Sequence, residues 1–356
     1  MRPHFYNEHQ NQEISSGPLR RSVKKLLPTL PLSFLVVFLI FIGLVWWNTQ
    51  RSAPSNDSAS YPFVIKPGEN ASSVGQDLKK EGFIRSDLAF RIYVQVSGVS
   101  KKIKSGDYRL QKNKPLESLT TEIIKGPIAL WVTLPEGLRR EEMAQKISTT
   151  LGFMGPEKQK FVEDFLEESE DKEGFLFPDT YLLLKNTTAA SVVDKLTENF
   201  KKRVSDKILE KAEFNNLTQN QMITLASIVE RETRTDEERP IVAGILLTRL
   251  DIGMPLQADA TLQYISATNR CQAIDTSCEW WKPIKVTEKE TDSPYNTYKR
   301  RGLPPAPIAN PGLAAIAAVA NPEDSPYLFY LHGSNGQIHY AKTIEEHSEN
   351  IRKYLN

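Results

Sequence analysis

The sequence has few of the residues that build metal centres, disulfide frameworks and phosphate-binding loops. Its 356 residues include two cysteines and five histidines, which excludes a disulfide scaffold and an all-cysteine zinc site. The histidines form no His-Glu-x-x-His pair, and the chain has neither a Gly-x-Ser-x-Gly elbow nor a glycine-rich phosphate loop. We therefore expect no metal, no cofactor and no serine nucleophile, and carboxylates remain as candidate catalytic groups.

Neither sign of charge dominates the composition. Lys and Arg total 45, Asp and Glu total 44, and the formal net charge is +1. A balance this close to zero argues against a nucleic-acid-binding surface over the whole protein. The hydrophobic fraction of 40% and the charged fraction of 25% are typical of a folded chain and exclude both wholesale disorder and a polytopic membrane protein.

One long apolar run lies near the N-terminus. Residues 30–47 carry no charge, and as a helix they would span about 27 Å, close to the hydrocarbon thickness of a bilayer. Basic residues precede the run and tryptophans close it: Arg20, Arg21, Lys24, Lys25, Trp46 and Trp47. This pattern predicts a cytoplasmic tail over residues 1–29, a single-pass anchor over 30–48 and an extracytoplasmic body. The alternative is a cleaved signal peptide. Signal peptides have a shorter apolar region than this run and an Ala-x-Ala cleavage site after it, and no such site follows here.

A small α+β module is predicted after the anchor. Residues 49–60 are small and polar and should form a flexible linker. Residues 61–126 then predict strand, helix, helix, strand and helix, and the apolar stripe expected on the second helix is Ala89, Ile92, Tyr93 and Val96. The first half of this module is similar to the sugar-binding module LysM. Wall binding and a plain spacer or docking role both remain open.

Residues 127–356 form the larger predicted unit, also of mixed α+β class. A strand is expected at 129–134, helices at 140–149 and 157–169, and one long helical stretch at 189–209. Thr218 and Gln221 form a capping box that starts a further helix. Its apolar stripe is Met222, Leu225, Ala226 and Val229.

Glu230 emerges at the edge of that buried stripe. Partial burial would raise the pKa of its carboxyl, as a general acid requires. The alternative is a solvated glutamate paired with Arg231 or Arg234. Glu232 lies about 200° further round the helix and should face away, so it is the less suitable acid.

Two polar segments could line a groove for sugars. The first carries Gln257, Asp259 and Thr261, and the second carries Tyr295, Asn296 and Thr297. The alternatives are a loop that caps the helix beginning near Asp259, and ordinary turn chemistry. Cys271 and Cys278 lie in the external part, where a disulfide closing a short loop is expected.

Taken together, these segments resemble the YceG-like family, the MltG-type endolytic murein transglycosylases. The matching motifs occur in the family's order: Glu173–Tyr181, Ala226–Thr233, Arg249–Met254, Leu256–Thr261, Tyr295–Tyr298, Gly302–Pro305, Pro307-Ile308, Asn310–Gly312 and the tail positions His339, Thr343 and His347. Two departures are present. Ala260 stands where the family commonly has proline, and residues 269–290, with the cysteine pair and Trp280-Trp281, match no family pattern and could reshape one wall of the groove.

The resemblance implies a lyase of the cell inner (plasma) membrane that cleaves peptidoglycan strands between N-acetylmuramic acid and N-acetylglucosamine. Glu230 would be the catalytic acid, the two polar segments would bind substrate, and the product would carry a 1,6-anhydro end. Penicillin-binding proteins of the cell-wall synthesis complex are the implied partners. The alternatives are a muramidase-type hydrolase with Asp259 as second carboxylate and a non-catalytic wall-binding scaffold.

Overall fold

The computed structural model describes residues 29–275 and 277–355, so the predicted cytoplasmic tail and its basic residues lie outside the described residues. Helix α1 covers Thr29–Arg51. Its segment Leu32–Arg51 has a mean hydropathy of 2.1 with no part buried, and among the described helices it alone is long and apolar enough to cross a bilayer. The structure is therefore compatible with the predicted single anchor.

The predicted linker is held against the small module by hydrogen bonds. The Arg85 guanidinium donates to the carbonyl oxygen of Ala53 at 2.9 Å, and the Gln111 side chain donates to that of Ser58 at 2.9 Å. Trp47 of α1 also packs against the core of the module. Two backbone carbonyls of residues 49–60 thus have partners on the module, and the flexibility of this connection stays a prediction.

The small module contains the elements predicted for it. They are β1 (Ser60–Ile65), α2 (Ala71–Lys80), α3 (Asp87–Val96), β2 (Gly106–Gln111) and α4 (Leu116–Lys125). The stripe predicted on α3 is wrong in part, since Ala89 is buried but Val96 is 83% exposed. The core takes Phe90 and Val94 instead, because the large Phe90 ring fills the space beside α2.

One antiparallel sheet runs through both predicted units in the order β1-β2-β3-β4. Strand β3 covers Ala129–Thr133 and β4 covers Thr180–Leu184. The pairing between β2 and β3 consists of the single pair Asp107 and Ala129, whereas β3 and β4 pair along their whole length. Helices α5 (Arg140–Leu151), α6 (Gly155–Glu168) and α7 (Ala189–Arg203) cover the second half of the sheet.

The remaining chain forms a helical unit and a hairpin. Its elements are α8 (Asp206–Phe214), α9 (Gln219–Glu232), α10 (Glu238–Asp251), α11 (Asp259–Arg270), α12 (Leu313–Ala320), β5 (Phe329–His332), β6 (Ile338–Ala341) and α13 (Ile344–Tyr354). The single helix predicted over 189–209 is wrong. Val204 is extended and buried in the core, and Ser205 opens α8 as a separate helix.

Candidate active site

Helix α9 lies at the centre of the helical unit. Its capping box is present as predicted, with the Thr218 side chain accepting from the Gln221 backbone and the Gln221 side chain accepting from the Thr218 backbone. Every residue from Met222 to Val229 is buried. The last turn therefore carries its two glutamates, Glu230 and Glu232, out of a packed interior towards different neighbours.

Both carboxylate oxygens of Glu230 have protein partners. The Gly312 backbone donates to Oε2 at 3.0 Å, and Nη2 of Arg239 donates to Oε1 at 3.3 Å. The Glu230 side chain is 7% exposed, so this is a buried ion pair and not the solvated pairing with Arg231 or Arg234. Arg239 also lies 3.9 Å from Oε2 of Glu136. Burial, and then the charge of Glu230, raise the pKa of Glu136.

Glu232 has two donors and faces open space. The Ala260 backbone donates to Oε1 at 3.1 Å, and the Tyr330 hydroxyl donates to Oε2 at 3.2 Å. Burial, together with the nearby charge of Asp259, raises the pKa of Glu232 to about 7. A carboxyl with this pKa is both an available acid and an available base near neutral pH.

A cavity of about 620 Å³ opens at Glu232, within the range of about 300–1,000 Å³ typical of ligand sites. Its polar wall includes Glu232, Arg249, Gln257, Asp259, Lys289, Tyr298 and Tyr330. Its apolar wall comes from α13 and β5, through Phe329, Ile344, Ile351 and Leu355. We call this space the Glu232 cavity.

Two of the predicted substrate-binding residues line the Glu232 cavity. Gln257 has a positive φ of 52°, and strain of this kind in a non-glycine residue is common at binding sites. Asp259 accepts a hydrogen bond from the Tyr298 hydroxyl. Gln257 and Asp259 therefore line the same cavity, and their contact with substrate stays a prediction.

Three others are buried. Thr261 and Thr297 share a hydrogen bond of 2.9 Å between their hydroxyls, and Asn296 donates to the carbonyl oxygens of Lys289 and Thr291. All three are at most 2% exposed. Their side chains hold the two polar segments against each other, and their predicted contact with substrate stays untested.

Tyr295 belongs to a second cavity of about 530 Å³. Its ring packs on that of Tyr264 with centroids 4.9 Å apart. Glu173 lines the same space, and burial raises its pKa to about 8. Its carboxylate is already used, because the Asn310 amide donates to it at 2.6 Å and so does the Arg140 backbone.

A comparison with protein families shows to which family this chain belongs. The model of the YceG-like family matches residues 63–353. This chain belongs to the YceG-like family. The resemblance drawn from the motifs is confirmed, whereas the LysM-like character of residues 61–126 stays a prediction.

Relatives of this YceG-like chain carry the name endolytic murein transglycosylase. The protein from Streptococcus pneumoniae strain D39 is 28% identical over 370 residues, covering 91% of this chain and 65% of the relative. The protein from Bacillus subtilis strain 168 is 29% identical over 316 residues, covering 82% of this chain and 84% of the relative. The present chain thus spans slightly less than two thirds of the pneumococcal protein.

A crystal structure of a YceG-like protein from Listeria monocytogenes has the same fold. It matches 82% of this chain and 98% of its own with a TM-score of 0.54 at 23% identity. The expected α+β class of this chain is therefore confirmed, and its fold is that of the YceG-like family.

The departure at residues 269–290 contributes Lys289 to the lining of the Glu232 cavity. Cys271 and Cys278 are joined as a disulfide with their Cα atoms 5.7 Å apart. The Trp281 indole donates to Glu142 at 2.9 Å, and its ring lies 3.8 Å from the Arg231 guanidinium carbon. The segment therefore packs against the last turn of α9 at Arg231, which lies between Glu230 and Glu232 in the sequence.

Several cavity residues were not singled out from the sequence. Tyr298 ends the motif Tyr295–Tyr298, so the polar residues before it indicated a place near the site. Tyr330 and Lys289 lie in no recognised pattern, and only the fold brings them to Glu232. Among residues 29–275 and 277–355, no group of three or more His, Cys, Asp or Glu is arranged to hold a metal.

Proposed function

We propose that this protein is an endolytic murein transglycosylase that cleaves glycan strands between N-acetylmuramic acid and N-acetylglucosamine. The observation that carries the proposal is Glu232, a partly buried carboxyl with a pKa of about 7 at a cavity large enough for sugar units. The relatives named endolytic murein transglycosylase support the same reaction.

The chemistry needs a single acid–base group. Protonated Glu232 donates its proton to the glycosidic oxygen while the bond from that oxygen to the anomeric carbon breaks. The carboxylate then accepts the proton of the muramic C6 hydroxyl, and the C6 oxygen forms the new bond to the anomeric carbon. No water is consumed, and the product ends in a 1,6-anhydro ring. The donors Tyr330 and Ala260 would stabilise the carboxylate between the two proton transfers.

The geometry favours Glu232 over Glu230 as this acid. Glu230 is bonded to Arg239 and the Gly312 backbone, and a side chain so engaged suits a positioning role for the loop before α12. Glu232 faces a cavity that also presents Asp259. The negative charge of Asp259 is placed to stabilise positive charge developing at the anomeric carbon.

A muramidase-type hydrolase is the second candidate, because Asp259 provides a further carboxylate in the same cavity. Retaining and inverting hydrolases both use two carboxyl groups that flank the bond. The reducing-end chemistry separates the candidates, since only the transglycosylase produces anhydro ends.

We further propose that α1 anchors the protein in the plasma membrane, with a cytoplasmic N-terminus and the body outside. The basic residues before the apolar run support this orientation. A tethered enzyme would act on nascent strands and work beside penicillin-binding proteins. The division into a LysM-like module at 61–126 and a catalytic unit at 127–356 belongs to this proposal.

The test is digestion of purified peptidoglycan by the full chain in detergent, with products identified by mass spectrometry. An anhydro end is one water lighter than a reducing end. Internal fragments with anhydro ends that disappear in Glu232→Gln would support the proposal. Reducing ends would indicate the hydrolase, and full activity of Glu232→Gln would remove Glu232 from its role.

A further inference from the structure

Two cations in the wall of the Glu232 cavity have no carboxylate partner. Arg249 donates from Nε to the carbonyl oxygen of Leu328 and from Nη1 to that of Leu256, both at 2.7 Å. Nζ of Lys289 lies 4.5 Å from the centre of the Tyr298 ring. Within the described part of the chain, neither forms a salt bridge, so their positive charge is not neutralised by a direct ion pair.

Lys289 is held in place by its backbone. It lies in the short 3₁₀ helix Val286–Glu290, and the fully buried Asn296 side chain donates to its carbonyl oxygen at 3.0 Å. The ammonium group presents three donors and uses the face of one aromatic ring as its contact. A fixed backbone that carries a charged group without an ion-pair partner into a cavity is an arrangement suited to a ligand contact.

The same tyrosine ring joins this cation to the acidic side of the cavity. The face of Tyr298 contacts Lys289, while its hydroxyl donates to Asp259. An anionic ligand group would be repelled by Asp259 and attracted by Lys289. The cavity therefore has an internal polarity that fixes where a negative charge on a bound strand can lie.

We propose that Lys289 forms an anion subsite that binds a carboxylate carried by the muramic acid unit of the substrate. This inference rests on the proposed function. Along a peptidoglycan strand the glucosamine units are neutral, and negative charge belongs to the muramic unit, either on its lactyl group or on the attached peptide. Lys289 lies within residues 269–290, the segment that departs from the family's pattern, so the subsite is a property of this chain's own wall.

The first test measures binding, so it does not depend on catalysis. The full chain in detergent is titrated with N-acetylmuramic acid and with its uncharged methyl ester, and both dissociation constants are measured by ligand-observed NMR. The wild type should bind the acid about tenfold more tightly than the ester, as for a charge-assisted hydrogen bond. Lys289→Leu should lose this preference and Lys289→Arg should keep it.

Lys282→Leu is the matched control. Lys282 is an exposed lysine of the same segment, so its removal changes the net charge equally without touching the cavity. A lactyl subsite is overturned if the wild type does not prefer the acid, if Lys289→Leu keeps the preference, or if Lys282→Leu loses it to the same extent, and the second test then decides whether Lys289 binds a peptide carboxylate.

The second test identifies which carboxylate is bound. KM and kcat are measured on strands with intact peptides and on strands stripped by an amidase, which frees the lactyl carboxylate. A KM increase of about tenfold for Lys289→Leu on intact strands alone indicates a peptide carboxylate, and an increase on stripped strands indicates the lactyl group. An unchanged KM on both contradicts the subsite. Absence of turnover in every variant, with the acid preference retained, would reject the reaction while supporting the subsite.

Discussion

The Tyr330 hydroxyl donates a hydrogen bond of 3.2 Å to Oε2 of Glu232, although the two residues are 98 positions apart in the sequence. Glu232 ends helix α9, and Tyr330 lies in strand β5 of the hairpin β5–β6. The donor stabilises the ionised form of the carboxyl, whereas burial of Glu232 favours the protonated form. Burial and the charge of Asp259 raise the pKa of Glu232, the donors Ala260 and Tyr330 lower it, and the balance is a pKa of about 7.

We expect Glu232→Gln and Glu230→Gln to have different consequences. Loss of the acid–base group should lower kcat about 10³-fold, within the range for general acid–base catalysis. Glu230→Gln removes the charge facing Arg239 inside a buried pair, so it should reduce the free energy of unfolding by about 1–3 kcal/mol. Initial rates of anhydro-end formation and urea unfolding curves measure the two effects. The opposite assignment of the acid follows if Glu230→Gln shows the larger loss of kcat.

The pH dependence of kcat should respond in opposite directions to two substitutions near Glu232. Activity needs the protonated acid, so the rate should fall above about pH 7. Tyr330→Phe removes a hydrogen bond that lowers the pKa of Glu232, and Asp259→Asn removes a charge that raises it. The alkaline limb should therefore move to higher pH in the first variant and to lower pH in the second.

Tyr340→Phe is the control for these profiles, because its ring stacks on Tyr327 and not on the acid. Rates measured from pH 5 to pH 9 give the limbs directly. Shifts of equal sign in both variants would contradict the electrostatic origin proposed here for the pKa of Glu232.

Stability should also depend on the protonation of Glu232. Its pKa is raised from 4.5 to about 7 in the folded protein, so the folded state holds the proton more tightly than the unfolded state. Stability from this group is therefore present at low pH and is lost as the pH rises from about 4.5 to 7. Relative to Glu232→Gln, the wild type should lose about 2 kcal/mol between pH 5 and pH 8. Denaturant unfolding of both proteins at the two pH values measures this difference, and parallel curves would contradict it.

Opening the disulfide should loosen the wall that carries Trp281 and Lys289. In the chain-entropy treatment a loop of this size contributes about 2 kcal/mol, and the Cys271→Ser, Cys278→Ser double variant should show that loss of stability. The contacts of the Trp281 indole with Glu142 and Arg231 should weaken as well. We expect the double variant to show a larger change in KM than in kcat. Thermal melts with and without reductant test the first effect, and reductant should not alter the double variant.

The sequence predicted the scaffold of the site, whereas the choice between Glu230 and Glu232 needed the fold. The capping box at Thr218 and the buried stripe of α9 follow local rules, and both are present. Both glutamates of the last turn leave the same helix end, and periodicity cannot tell which one meets a cavity. That choice depends on the N-terminus of α11 and on Tyr330, which lie far along the chain.

The polar segments show a second limit of sequence reasoning. Gln257 and Thr261 are both polar and lie in one motif, yet one lines the cavity and the other is buried. Hydroxyl and amide groups serve equally well for binding a sugar and for joining two loops. Only the pairing of Thr261 with Thr297 distinguishes these uses, because that contact is between distant segments.

Trp47 packs against the core of the small module, and the following segment is hydrogen-bonded to the same module, so the end of α1 is in direct contact with the module. If α1 is held in the bilayer as proposed, the contacts would limit how far the enzyme swings from it. Under the proposed function, these contacts would set the distance from the membrane at which the cavity meets a strand, and that distance would set the length of glycan between the membrane and the cut.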